Sequence, residues 1–169
     1  GQRMTPAELK AKLSELMGLP TETEWLEFKE AKQNTHFDDL GKYFSALSNE
    51  ANLKSKDCGW LVLGVSNKPP RRVVGTQYRP TAQERESLKH EVARQTSAGM
   101  TFLDVHEAIL SEGRVLLLQI PPALRGIPTA WKGQFYGRDG ESLVSLSIAE
   151  FEAIRGQSPC EDWSAQVCQ

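Results

Sequence analysis

The chain has 169 residues, of which 39% are hydrophobic and 25% charged, a size and balance that suit one domain with a single buried core. No apolar run approaches the roughly 18 residues of a membrane-spanning helix, and the first residues lack the basic-then-apolar order of a secretory leader, so a cytoplasmic protein with no membrane partner is expected. A net charge of −2 falls well short of the basic balance that marks a nucleic-acid binder by charge alone.

Gly1 to Arg3 stand ahead of Met4 and read as a remnant of tag cleavage outside the fold. Thr5-Pro6-Ala7-Glu8 is a capping box with proline at the first helical position; Leu9, Leu13 and Leu16 follow at helical spacing until Gly18 ends a short helix. Residues 23–29 alternate as a half-buried strand would. Thr35 with Asp38 should cap a second helix, whose stripe of Leu40, Phe44, Leu47 and Ala51 should lie on the sheet. The apolar run 59–65, bounded by glycines, predicts a central strand, and residues 72–75 should return beside it as a hairpin after the turn at 67–70. Thr81 and Glu84 cap a third helix that runs through Leu88 and Val92 to near Gly99. Residues 102–110 and 114–120 predict a strand, a tight turn at Glu112-Gly113 and a second strand. A last pair of strands is expected at 130–136 and 142–146, and Ser147 with Glu150 caps a final helix holding Phe151 and Ile154.

The expected fold is therefore α/β in the α+β sense: a mixed, twisted sheet of about six strands flanked by helices in a single domain. Residues 1–18 form an N-terminal segment with the short helix, 19–155 the domain, and 156–169 a tail read as a truncated linker to further domains. Three cysteines, Cys58, Cys160 and Cys168, show no CxxC spacing and are expected to be free thiols.

The common catalytic templates fail. No GxxxxGK[ST] loop and no GxGxxG run is present, so no nucleotide cofactor is expected. His90-Glu91 would open a zinc-protease motif, but Arg94 occupies the place of its second histidine; Gly64-Val65-Ser66 would open a nucleophile elbow, but Lys68 replaces its closing glycine. His36, His90 and His106 have no metal-ligand spacing.

Charge is unevenly distributed. Lys68, Arg71, Arg72 and Arg79 lie in an acid-free segment, as do Arg125, Lys132 and Arg138, whereas acids gather at 22–30 and 141–162. Lys29, Arg71, Arg72, Arg79, Lys132, Tyr136 and Arg138 are the candidate nucleic-acid contacts, the cations for phosphates and exposed rings at Tyr78, Trp131 and Tyr136 for stacking on unpaired bases. The plainer alternative is a solvated strand face with the aromatics in the core.

The run Glu22-Thr23-Glu24-Trp25-Leu26-Glu27-Phe28-Lys29 is followed by Ser45-Ala46-Leu47-Ser48-Asn49, Gly59-Trp60-Leu61-Val62-Leu63-Gly64-Val65 and Val73-Val74-Gly75-Thr76. Further on stand Leu118-Gln119-Ile120-Pro121-Pro122, Pro128, Lys132-Gly133 and Tyr136-Gly137-Arg138. In this order, from Leu19 to about Arg155, the chain resembles the Schlafen AlbA-like domain. That resemblance implies an α/β fold and a DNA-binding role, typically at the N-terminus of bacterial transcriptional regulators and RecG-related proteins that carry an ATP-binding or winged-helix region further on. Nucleic acid, DNA ahead of RNA, is thus the expected partner.

The eukaryotic Schlafen branch implies a second reading, a metal-dependent ribonuclease acting on structured RNA such as tRNA. Its two glutamates would fall at Glu22 and Glu27, and its aspartate after the central strand at Ser66 or Asn67. Two carboxylates and a third can hold a hard divalent ion that activates water. Magnesium or manganese, held by Glu22, Glu27 and the Asn67 carbonyl, belongs to this alternative only. The plainer alternative for the pair is a solvated acidic strand end with Glu27 paired to a nearby cation. A third reading is a protein-interaction or homo-oligomerisation module using the apolar tail around Trp163.

Overall fold

The computed structural model describes residues 3–159. Three of its four helices start on capping boxes read from the sequence: α1 (Pro6–Met17) on Thr5 and Glu8, α3 (Ala82–Ala93) on Thr81 and Glu84, and α4 (Ile148–Arg155) on Ser147 and Glu150. The fourth, α2 (Phe37–Leu53), starts differently. His36, not Thr35, is its N-cap and makes no side-chain cap bond; Asp38, expected to complete the cap with Thr35, instead accepts from the Trp131 indole at 3.1 Å and pairs with Lys132 at 2.7 Å. Helix α3 stops at Ala93, short of Gly99, since the chain straightens to bridge Thr96 to Trp131 before a 3-10 turn at Ser97–Gly99. Among the described residues no helix is long and apolar enough to cross a membrane.

The expected single sheet is two. Strands β1 (Leu26–Lys29), β2 (Gly59–Leu63), β3 (Asp104–Leu110) and β4 (Gly113–Ile120) form a sheet ordered β1-β2-β4-β3, with β1 parallel to β2 and the other pairs antiparallel. Strands β5 (Ala130–Trp131), β6 (Gln134–Asp139) and β7 (Ser142–Ser145) form an antiparallel meander. What looked like one strand over 130–136 is broken by Lys132-Gly133, whose φ angles of 50° and 79° make a two-residue hairpin turn. Residues 72–75 do not pair as a hairpin strand with β2, because β1 and β4 already occupy both its edges; a lone bridge, Val65 to Val73, remains.

The first sheet is covered on both faces. Leu9, Leu13 and Leu16 of α1 pack with Leu26, Trp60, Val62 and Leu117, while Leu40, Phe44 and Leu47 of α2 pack with Leu61, Leu63, Leu116 and Leu118. This double cover explains why β1, expected to be half-buried, is buried along Leu26, Glu27 and Phe28.

The opposite side of α2 is polar and equally buried. Ser45 Oγ donates to the Thr129 carbonyl at 2.7 Å and accepts from the Tyr136 N–H at 3.0 Å. Asn49 accepts from the Thr129 N–H at 2.8 Å and donates to the carbonyls of Thr129 and Tyr136 at 3.0 and 2.9 Å. Side chains of the helix thus satisfy backbone groups of the second sheet that no strand reaches. Gly41 lets Trp131 close over α2: a Cβ there would lie 1.9 Å from the indole ring.

Asn49→Ala leaves buried amide and carbonyl groups without partners, each worth about 1–3 kcal/mol. The variant is expected to lose roughly 3 kcal/mol or more of unfolding free energy in urea titrations while keeping its far-UV circular dichroism.

Candidate functional site

Because β1 and β2 run parallel, their chain exits lie at the same end of the sheet, the place where open α/β sheets leave a crevice. Gly64, at φ 100°, turns the chain sharply there; a Cβ would meet the Arg114 carbonyl at 2.8 Å. Two adjoining clefts open at these exits and share Glu30 and Asn67. One, of about 480 Å³, is walled by Glu27, Lys29, Asp39, Tyr43 and Glu141; the other, of about 640 Å³, by Ser66, Lys68, Pro69, Pro70 and Arg72.

A buried ion pair underlies the first cleft. Glu27, 4% exposed, accepts from Arg138 Nη2 at 3.0 Å on one carboxylate oxygen and from the Phe28 N–H at 3.0 Å on the other. The Arg138 guanidinium, 3% exposed, also donates to the carbonyls of Leu26 and Glu141 at 3.3 and 3.0 Å. Tyr43 sits between cations, with the Lys29 ammonium 4.4 Å and the Arg138 guanidinium 5.7 Å from its ring centre. Burial pushes the Glu27 carboxyl above its ordinary range, against the pull of Arg138 and Lys29. A second acid chain adjoins it: Glu50 accepts from the Arg138 N–H at 3.1 Å, and Lys54 bridges Glu50 and Glu24 at 2.8 and 2.9 Å.

The structure divides the sequence candidates into two groups. Arg71 donates to the carbonyls of Met17 and Leu19 at 3.0 and 2.6 Å and lies 4.4 Å from the Phe28 ring, so it closes the C-terminal end of α1. Arg79 forms a two-pronged pair with Glu91 at 3.0 and 3.2 Å, and Lys132 holds Asp38. Tyr136 spends its backbone on Ser45 and Asn49. Tyr78 and Trp131, expected as exposed stacking rings, are 5% and 1% exposed and belong to the core. Lys29, Arg72 and Asn67 come together at the clefts, joined by Lys68. Glu22 is exposed and does not line the cleft that holds Glu27. The tail around Trp163, with Cys160 and Cys168, lies outside the described residues; Cys58 is a free, half-buried thiol.

Sequence reasoning missed Glu30, Asp39, Tyr43 and Glu141. The available signal was topological: residues after a parallel strand and at the start of the following helix share one end of the sheet.

The family described as Schlafen, AlbA_2 matches residues 22–147 of the chain. The chain belongs to this family. The AlbA_2 domain is also similar in fold to the DIP2311 protein from Corynebacterium diphtheriae, with 18% identity and a TM-score of 0.59 over 89% of this chain and 32% of that one. It is similar as well to the N-terminal domain of a RecG-related protein from Nitrosomonas europaea, solved by solution NMR, with 20% identity and a TM-score of 0.50 over 83% of this chain and 92% of that one. This chain therefore spans about a third of the length of the DIP2311 protein. None of the curated proteins matches it.

The divalent ion that the Schlafen nuclease pattern implies does not fit the residues present. Arg138 already holds the Glu27 carboxylate at 3.0 Å, and a doubly charged cation about 4 Å from that guanidinium would be repelled by roughly 8 kcal/mol at an effective dielectric near 20. Asn67 offers no charge in compensation, and the other carboxylates at the cleft, Glu30, Asp39 and Glu141, do not converge with Glu27 on one point. Among the described residues no three histidine, cysteine or acidic side chains converge as a metal-holding group.

Arg138→Met strands the Glu27 carboxylate and is expected to cost about 3–5 kcal/mol, most of it recovered in the double variant Glu27→Leu/Arg138→Met when urea unfolding is measured. The pH dependence follows from the raised native value. The folded chain binds the Glu27 proton more readily than the unfolded one, so the carboxyl's contribution becomes more favourable as pH falls through the native value towards the ordinary 4.5. Glu27→Gln is expected to remove that component of the slope in unfolding midpoints taken between roughly pH 4 and pH 7.

Proposed function

We propose that this AlbA_2 domain binds nucleic acid, DNA ahead of RNA, through phosphate contacts in the groove at the ends of β1 and β2, as the nucleic-acid-holding part of a longer bacterial regulator or RecG-related protein in the cytoplasm. One observation carries the reading: Lys68 and Arg72 are exposed at the groove and, among the described residues, have no ion-pair partner, while Lys29 stands next to them in the adjoining cleft. Most of the arginines that sequence reasoning assigned to phosphates serve the fold instead. Three cations at one groove make few phosphate contacts, which suits a module that adds affinity to a longer protein rather than one that reads a sequence alone. The family membership and the RecG-related neighbour support the same reading.

Each phosphate contact releases condensed counterions, so affinity falls with salt in proportion to the number of contacts. Arg72→Ala and Lys68→Ala are each expected to lower the salt slope by about 1 in binding titrations with labelled duplex DNA, single-stranded DNA and tRNA. Arg79→Ala should leave the slope unchanged while lowering stability. Absence of binding even at low salt would refute the reading. Cleavage in manganese, lost in Glu27→Gln, would instead assign the groove to nuclease chemistry.

A further inference from the structure

The two clefts carry opposite charge. The first is lined by Glu27, Glu30, Asp39 and Glu141 with one lysine, Lys29; the second by Lys68 and Arg72 with one acid, Glu30. Arg138 offsets Glu27 from beneath at 3.0 Å, and Lys32 reaches Glu30 only at 3.7 Å. Asp39 and Glu141 are exposed and, among the described residues, have no ion-pair partner.

A duplex presents phosphates at close, regular intervals along both strands. A backbone seated on Lys68 and Arg72 and continued along the groove would press its next phosphates against carboxylates. An unpaired nucleotide avoids this conflict, because its base is neutral and can turn away from its phosphate. Carboxylates accept hydrogen bonds from exocyclic amino groups, which cytosine and adenine carry and thymine lacks. A cleft of about 480 Å³ lies within the range of small-ligand sites and has room for one base and its sugar. Asn34 and Asn67, also at its wall, offer amides that both donate and accept.

Resting on the nucleic-acid reading above, we infer that the groove is a slot for an unpaired nucleotide, with the phosphate on Lys68 and Arg72 and an amino-bearing base in the carboxylate-lined cleft. The preferred ligand is single-stranded DNA containing cytosine or adenine, ahead of oligothymidylate and ahead of duplex.

The test is fluorescence anisotropy of the whole chain with oligo-dC, oligo-dA, oligo-dT and a duplex of equal length at constant salt. Oligo-dC and oligo-dA are expected to bind about tenfold more tightly than oligo-dT or duplex. The double variant Glu30→Gln/Asp39→Asn, altered at two exposed positions and checked by thermal melting, should narrow both differences and bind duplex better than the wild type. Duplex binding as tight as single-strand binding, and still weakened by Arg72→Ala, would overturn the slot and leave the nucleic-acid reading standing. No binding to any of the four probes would overturn both.

Discussion

The polar side of α2 is the constraint on which the rest of the molecule depends. A helix between two sheets would ordinarily be apolar on both sides, but here Ser45, Ser48, Asn49 and Glu50 are fully buried opposite Leu40, Phe44 and Leu47. They hold the backbone at Thr129, Tyr136 and Arg138, so the second sheet is positioned by hydrogen bonds that admit one register rather than by apolar contact that would admit several. Its position determines where Arg138 enters the interior. Arg138 then meets Glu27 on β1, and that pair lies beneath the cleft at the strand exits. One polar stripe on one helix thus places the cation that underlies the cleft walled by Tyr43.

Much of this was legible in the sequence, for local reasons. Capping boxes at Thr5, Thr81 and Ser147 depend on residues three apart, and β2 declares itself as an apolar run between glycines; these features survive tertiary context. The errors arose where a distant residue claimed a local group. Asp38 was taken from the helix cap by Trp131, and residues 72–75 were displaced from β2 by strands far away in the sequence. The extra strand turned on a single residue pair, Lys132-Gly133, read as part of a strand rather than as its turn, and the second sheet stands apart because none of its strands pairs with the first.

The candidate site was legible in part. Glu27, Lys29, Arg72 and Asn67 do border the clefts, and two of these four, Lys29 and Asn67, sit at or just beyond the ends of β1 and β2, where a sequence pattern for parallel strands points. Arg71, Arg79 and Arg138 look the same as Arg72 in a linear reading, since a charge segment does not say which guanidinium will find a carbonyl or a carboxylate. Burial separates them. Arginine's planar fork can satisfy several acceptors at once, which makes it the cation best suited to closing a helix end or crossing a packed interface. A nearly neutral chain can therefore contain acid-free basic segments and still present only a few free cations.

The Glu27–Arg138 pair also bears on the metal-dependent alternative. Three carboxylates converging on one point carry enough negative charge to hold a divalent cation; here Glu27 is the buried one, Asn67 adds no charge, the other carboxylates of the cleft do not converge with it, and a single guanidinium offsets it. Arg138 occupies that role as a covalent part of the chain, with its Nη1 and Nη2 groups also donating to the Leu26 and Glu141 carbonyls while its buried Nε finds no partner. The charge balance is then met without an exchangeable ion, and the carboxylates left uncompensated, at Asp39 and Glu141, face solvent at the cleft rather than a shared centre. Such an arrangement repels phosphate where the metal chemistry would need to draw it in, and it leaves phosphate attraction to the neighbouring Lys68 and Arg72. On the nucleic-acid reading proposed above, the same fold would separate the surface that attracts a strand from the surface that selects what part of it enters.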